Sequence, residues 1–217
     1  MSNIKQDMED GFAEFLNAQR AIPGSVCRLT LVQFDADTER RIRLDTIYAS
    51  KPVAEAPYLD LEPRGWTPLY DAIGTTVIQT RERLSRLPVA EQPERVLFVI
   101  ITDGQENSSR EWARQQVRQQ IEQAQTRDHW EFLFLGANQA RLTEEAAAMN
   151  IGGQSVAAYA STPTSARNMW VGTSNAIANY RSGGSSNLTA EDRAILDADV
   201  SGTTGGASGT GGITIAP

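Results

Sequence analysis

Two short stretches hold the residue types most able to do chemistry: Gly65-Trp66-Thr67-Pro68-Leu69-Tyr70-Asp71-Ala72 and Ile100-Ile101-Thr102-Asp103-Gly104. The first leads a loop into a helical pattern, and the second leads an apolar strand pattern into a loop. Between them they offer a hydroxyl and a carboxylate, hard oxygen donors of the kind that Mg²⁺ takes at about 2.0–2.1 Å while keeping several waters. Taken singly, each residue also has an ordinary structural role. Thr67 followed by Pro68 is a good helix N-cap with proline at the first helical position. Asp103-Gly104 is a common turn after a strand, and Asp71 early in a helix complements the helix dipole.

Other chemistries have less support. His129 is the sole histidine and Cys27 the sole cysteine, so neither a zinc cluster nor a Ser-His-Asp or Cys-His arrangement is indicated. Gly152-Gly153 lacks the spacing of a dinucleotide- or phosphate-binding loop. The arginines between Arg110 and Arg127 are offset by Glu111 and Glu122 and read as a solvated helix face.

The elements that must position the two stretches follow from periodicity. Ile4, Met8, Phe12, Phe15 and Leu16 recur at helical spacing and predict an opening helix that ends near Pro23-Gly24. Cys27 to Phe34 reads as a strand, Asp35 to Thr38 as a turn, and Glu39 to Ile47 as the exposed outer strand of a hairpin. After a Pro-rich connector from Lys51 to Gly65, a second helix carries Leu69, Ile73, Val77, Thr80 and Leu84 on one face. Val96 to Ile101 is apolar without alternation, as a strand buried on both faces must be. Ser108 and Glu111 form a capping-box pattern ahead of a third helix with Ala113, Val117, Ile121 and Ala124.

Trp130 to Leu135 repeats the buried-strand pattern. A short helix over Leu142 to Met149, a weaker strand over Gln154 to Tyr159 and a helix over Thr164 to Tyr180 follow. Strands alternating with helices predict an α/β fold: a doubly wound, mostly parallel sheet in three α/β/α layers with one antiparallel edge strand. In such sheets ligands bind at the carboxyl ends of the central strands. The organisation expected is a domain over 1–181, a Ser/Gly linker over 182–187, and a short helix over 188–200 capped by Thr189. A Gly/Ser/Thr-rich tail over 201–217 is too polar and too glycine-rich to fold.

Composition narrows the partners. With a net charge of -7, the chain lacks the basic balance that nucleic acid or an anionic membrane surface would require. Hydrophobic residues make up 40% of the 217, enough for a sizeable core, yet no run approaches a membrane span. A lone cysteine and a polar N-terminus predict a reducing, cytoplasmic setting.

The two stretches, with the same order of elements from Met1 to Tyr180 and the hairpin ahead of the threonine loop, resemble the von Willebrand factor A family. The resemblance implies a metal-ion-dependent adhesion site, with Thr67 offering its hydroxyl and Asp103 its carboxylate to Mg²⁺ or Mn²⁺, directly or through water. A partner protein would donate the completing carboxylate. Trp66, Tyr70, Asp71, Gly104, Glu106 and Asn107 are the accompanying candidates for partner contact. The family's third motif, Asp-x-Ser-x-Ser, ends its first strand just before the first helix, and Met1-Ser2-Asn3-Ile4 reads like the sequence that would follow it.

In the family that strand lies between those matching Cys27–Phe34 and Val96–Ile101. Losing a buried strand forfeits on the order of 10 kcal/mol, which rivals the whole stability of a domain. Two expectations follow: either the natural polypeptide begins upstream with that strand, or rearranged or supplied β structure closes the gap. With two protein oxygens, cation affinity is expected to be weak or absent. The function expected is a non-enzymatic adaptor of bacterial or phage type that docks a partner's acidic side chain. The alternatives are a metal-assisted hydrolase built around Asp103 and a metal-free structural domain. Against the hydrolase stands the lack of a second paired carboxylate or a histidine at the same edge.

Overall fold

A computed structural model of the chain describes residues 2–137, 139–197 and 212–216. The elements run α1 (Lys5–Arg20), β1 (Arg28–Ala36), β2 (Ile42–Pro52), α2 (Leu69–Ser85), β3 (Leu97–Thr102), α3 (Arg114–Thr126), β4 (Glu131–Gly136), α4 (Gln139–Ala148), β5 (Val156–Ala158), α5 (Pro163–Arg181), α6 (Ala190–Asp197) and β6 (Gly212–Ala216). The strands form one sheet in the order β2-β1-β6-β3-β4-β5.

Both faces of that sheet are covered. Leu29 and Leu31 of β1, Val99 and Ile101 of β3 and Leu133 of β4 pack with α1 and α5. Phe34, Phe98, Ile100, Phe132 and Phe134, at alternate positions, pack with α2, α3 and α4. Every residue of β3 is buried, as the unbroken apolar run requires. On the first face α1 and α5 approach closely because Gly11 has no side chain, and a β-carbon there would fall 2.3 Å from the buried Trp170 ring. Phe12 meets that same ring edge-on at 5.2 Å.

Strands β3, β4 and β5 pair in parallel, and β2 is the expected antiparallel edge. A second antiparallel strand was not expected. Gly212–Ala216 lies between β1 and β3 and pairs antiparallel with both, Thr214 facing Val32 on one side and Ile100 on the other. The place between β1 and β3 is thus taken by β6. The expectation of an unfolded tail fails for these five residues, because Ile213-Thr214-Ile215 is β-branched and finds an unpaired strand edge on either flank. The rest of that expected tail, 201–211 and 217, lies outside the described residues.

Several other boundaries move. Asp35 and Ala36 belong to β1 instead of a turn, and the hairpin reverses at Asp37, whose carboxylate accepts the amides of Glu39 and Arg41. α3 begins at Arg114, where the Gln116 side chain accepts the Ala113 amide. Ser108 therefore does not cap α3. The expected linker is anchored: Arg95 donates to the carbonyls of Tyr180 and Gly184, and Glu131 accepts the Ser186 amide. Thr189 does cap α6, accepting the Asp192 amide at 3.1 Å, and Leu196 seats α6 against Gly172 of α5. Residues 198–200 of that expected helix lie outside the described residues. Among the described residues no helix is long and apolar enough to cross a membrane.

The position of β6 makes a clear prediction. Thr214→Pro removes an amide from a strand paired on both flanks and leaves a partner carbonyl unsatisfied, so it should destabilise the chain by roughly 1–3 kcal/mol or more. Urea denaturation followed by circular dichroism measures this; a wild-type midpoint would show that β6 does not hold the sheet together.

Candidate cation site at the sheet rim

Strands β1 and β3 point the same way, since β6 opposes both, and Phe34 of β1 lies level with Thr102 at the end of β3: both pair with Gly212. One residue further on stand Asp35 and Asp103, 7% and 4% exposed. Thr102 bends the chain after β3, its hydroxyl accepting the Gly104 amide and donating to the Gly104 carbonyl. The connector from β2 crosses this rim where Trp66 and Ala36 exchange two backbone hydrogen bonds of 2.9 Å, and Thr67 follows directly.

The two loops are stitched together. Asn107 accepts the Thr67 amide at 2.8 Å and returns its own amide to the Thr67 carbonyl at 3.2 Å. Glu106 accepts the amides of Tyr70, Ser108 and Ser109 and the Ser109 hydroxyl. Asp71, 1% exposed, accepts the amides of Arg110, Glu111 and Trp112 at 2.8–3.0 Å. Ser109 closes the circuit by accepting the Asp71 amide. Charge-assisted bonds of this kind are about twice as strong as neutral ones and satisfy amides that would otherwise be buried unpaired. They also explain why Ser108 is not a helix cap: the Glu111 amide that its hydroxyl would accept is taken by Asp71, and Glu106 holds the Ser108 amide that a capping Glu111 would accept.

Thr67 is where the structure departs furthest from its ordinary role. Helix α2 has no side-chain cap, and the Thr67 hydroxyl, wholly buried, has no hydrogen-bond partner. Two neighbours share that condition, the Ser108 hydroxyl and Asp35 Oδ1. Buried polar atoms normally find partners, so three such oxygens at one rim fit a group that accepts hard oxygen. Thr67 Oγ1 and the Asp103 carboxylate thus suit Mg²⁺ in donor type. Among the described residues no three of His, Cys, Asp or Glu stand together, so any cation here draws on hydroxyls and solvent as well.

The other candidate residues divide between framework and surface. Asp71, Glu106 and Asn107 hold the loops in place through the bonds above. Trp66 is 37% exposed beneath the Arg40 guanidinium, 4.8 Å from its ring centre, and remains available at the surface. Gly104 and Tyr70 line a cavity of about 250 Å³ beside Asp103, floored by Leu69, Phe134 and Leu142. There the Tyr70 hydroxyl donates to Glu145, and burial followed by that carboxylate raises its pKa. Two rim positions with unpartnered oxygens escaped sequence reasoning. Ser108 was absorbed by a capping pattern, and Asp35 by a turn pattern.

Comparison with protein-family models finds no match, and no curated protein or solved structure matches the chain.

Two predictions follow from this geometry. Asp71→Ala leaves three amides without an acceptor and should cost roughly 2–4 kcal/mol in urea unfolding, whereas Glu111→Ala on the exposed loop should change little. Burial also pushes the Asp35 carboxyl from 3.8 up to about 6, with Arg43 pulling the other way. The folded chain then holds this proton more tightly than the unfolded chain. Stability from the group is full below pH 3.8 and is lost as pH rises through 6. In chelator-treated protein, Asp35→Asn should therefore melt higher than wild type at neutral pH, by about 1–2 kcal/mol, with the advantage gone near pH 4. An equal difference at both pH values would contradict it.

Proposed function

We propose that the chain is a protein-binding module of von Willebrand factor A type, which docks an acidic side chain of its partner on a divalent cation at the rim formed by Thr67 and Asp103. The observation that carries this reading is the Thr67 hydroxyl, buried without a partner and tied through Asn107 to the loop that bears Asp103. The order of elements, the threonine loop and the Thr-Asp-Gly turn support it as well. In the family the strand bearing Asp-x-Ser-x-Ser occupies the position where β6 runs here. The cradle therefore relies on fewer protein oxygens, and its affinity is expected to be modest.

When bound, Mg²⁺ supplies a Lewis-acidic point that a partner carboxylate can complete. The protein's own part is to hold a hydroxyl and a carboxylate in place before binding, so that little ordering is left to offset the gain on association. The clamp formed by Asp71, Glu106 and Asn107 performs that task, and half-exposed Trp66 offers an apolar contact beside it. The acidic overall charge suits neither nucleic acid nor an anionic membrane, which favours a protein partner. Unpaired Cys27 suits a reducing cytoplasmic setting.

Mg²⁺ or Mn²⁺ at ten times its dissociation constant should stabilise the chain by about 1.4 kcal/mol, which is roughly 3–6 °C in Tm for a chain of this size. Asp103→Ala should lose that response while still folding. A wild-type Tm indifferent to millimolar cation would defeat the adhesion-site reading. Cation-dependent turnover of p-nitrophenyl phosphate would replace it with a hydrolase.

A further inference from the structure

The rim holds one more group than the two expected cation donors, and we propose that Asp35 is a third protein donor, a carboxylate delivered by the end of β1 to the same divalent cation. This rests on the proposed cation site and adds a residue to it.

The placement comes from two independent registers. The antiparallel exchange between Ala36 and Trp66 sets Asp35 across from Thr67, where cross-strand β-carbons stand about 4.5–5.5 Å apart. The shared pairing of Phe34 and Thr102 with Gly212 sets Asp35 level with Asp103, two strand spacings away at about 9–10 Å between α-carbons. Thr67 thus lies beside Asp35, and Asp103 lies on the far side of the strand between them. An ion that holds each oxygen at about 2.0–2.1 Å can span such a group with short side chains.

The condition of the carboxylate supplies the second argument. Asp35 is 93% buried, and Oδ1 has no hydrogen-bond partner. Oδ2 is only loosely matched, 3.6 Å from Arg64 Nε, and Arg64 itself turns to Glu62. A buried carboxylate with one oxygen unmet is costly to keep, and the two other unpartnered oxygens at this rim, Thr67 Oγ1 and Ser108 Oγ, are also hard donors. None of the three bonds another. Among the described residues the remaining buried side-chain atoms without partners belong to other parts of the molecule, such as Tyr48, Tyr159 and Trp170 in the core beneath α1 and α5. Two carboxylates with two hydroxyls give the oxygen-only mixture that Mg²⁺ and Mn²⁺ accept, with Asp35 supplying the additional negative charge.

The test is Mn²⁺ binding to the full chain, read from the paramagnetic resonance signal of the free ion, for wild type, Asp35→Asn, Asp35→Ser, Ser108→Ala and Asp103→Asn. Each variant's melting curve without metal establishes that it folds. The proposal expects both Asp35 variants to weaken Mn²⁺ binding at least tenfold while melting no lower than wild type. Binding within twofold of wild type in both Asp35 variants, with Asp103→Asn impaired, would overturn the role of Asp35 and leave the rim site standing. Wild type that takes up no Mn²⁺ at millimolar concentration would overturn both. A loss of binding in Asp35→Asn matched by an equal loss of thermal stability in both Asp35 variants would count against a donor role and assign Asp35 to the framework.

Discussion

Backbone amides of one loop, captured by carboxylates of another, hold the rim of this molecule in shape. The segments around Thr67 and Asp103 are joined by hydrogen bonds between side chains of one and backbone amides of the other. Asp71 reaches from the first turn of α2 to three consecutive amides beyond β3, and Glu106 reaches back to the amide of Tyr70. Each carboxylate fixes the loop that the other belongs to. Buried anions are tolerated here because every one of these bonds is charge-assisted, and because the amides they satisfy are otherwise orphaned at a helix start and in a tight loop. With the framework held in this way, Thr67 and Ser108 can keep hydroxyls that bond to nothing in the protein.

A second constraint acts through the sheet. Strands β1 and β3 run in one direction and leave between them a place for one strand, which β6 takes in the opposite sense. Its Gly212 end lies toward the rim, level with Phe34 of β1 and Thr102 of β3. The spacing between Asp35 and Asp103 is therefore set by a strand that contributes backbone pairing to the sheet. The geometry of the rim and the pairing of the sheet depend on the same five residues.

Much of this was legible in the sequence. The buried runs at Val96–Ile101 and Trp130–Leu135, the amphipathic faces of α1 and α2 and the Thr189 cap all lie where periodicity places them, because burial on both faces or on one leaves an unmistakable pattern. The two motif loops are brought together at one rim, as their positions in an α/β alternation require. What the sequence hid were interactions between segments distant in the chain. Ser108 and Glu111 carry a capping pattern, but Glu106 takes the Ser108 amide and Asp71 takes the Glu111 amide, so neither bond of the box can form. Asp35 looks like a turn residue until β1 is seen to continue through it. Ile213-Thr-Ile is too short to register as a strand after so many glycines, and only the two open edges of β1 and β3 show its use.

The order of synthesis gives β6 a further consequence. About 175 residues separate the end of β1 at Ala36 from the start of β6 at Gly212. At translation speeds of about 5–20 residues per second, a nascent chain carries the bare edge of β1 for roughly 10–35 seconds, and that of β3, which ends at Thr102, for roughly 6–22 seconds, before their common neighbour emerges. During that interval the hairpin with its helix and the β3-β4-β5 unit are separate half-structures, each with a hydrogen-bonding edge open to the other or to a neighbouring polypeptide on the same messenger. Closure of the sheet therefore waits on the synthesis of β6, and the interval before it is the period of greatest exposure to chaperones and to misassembly.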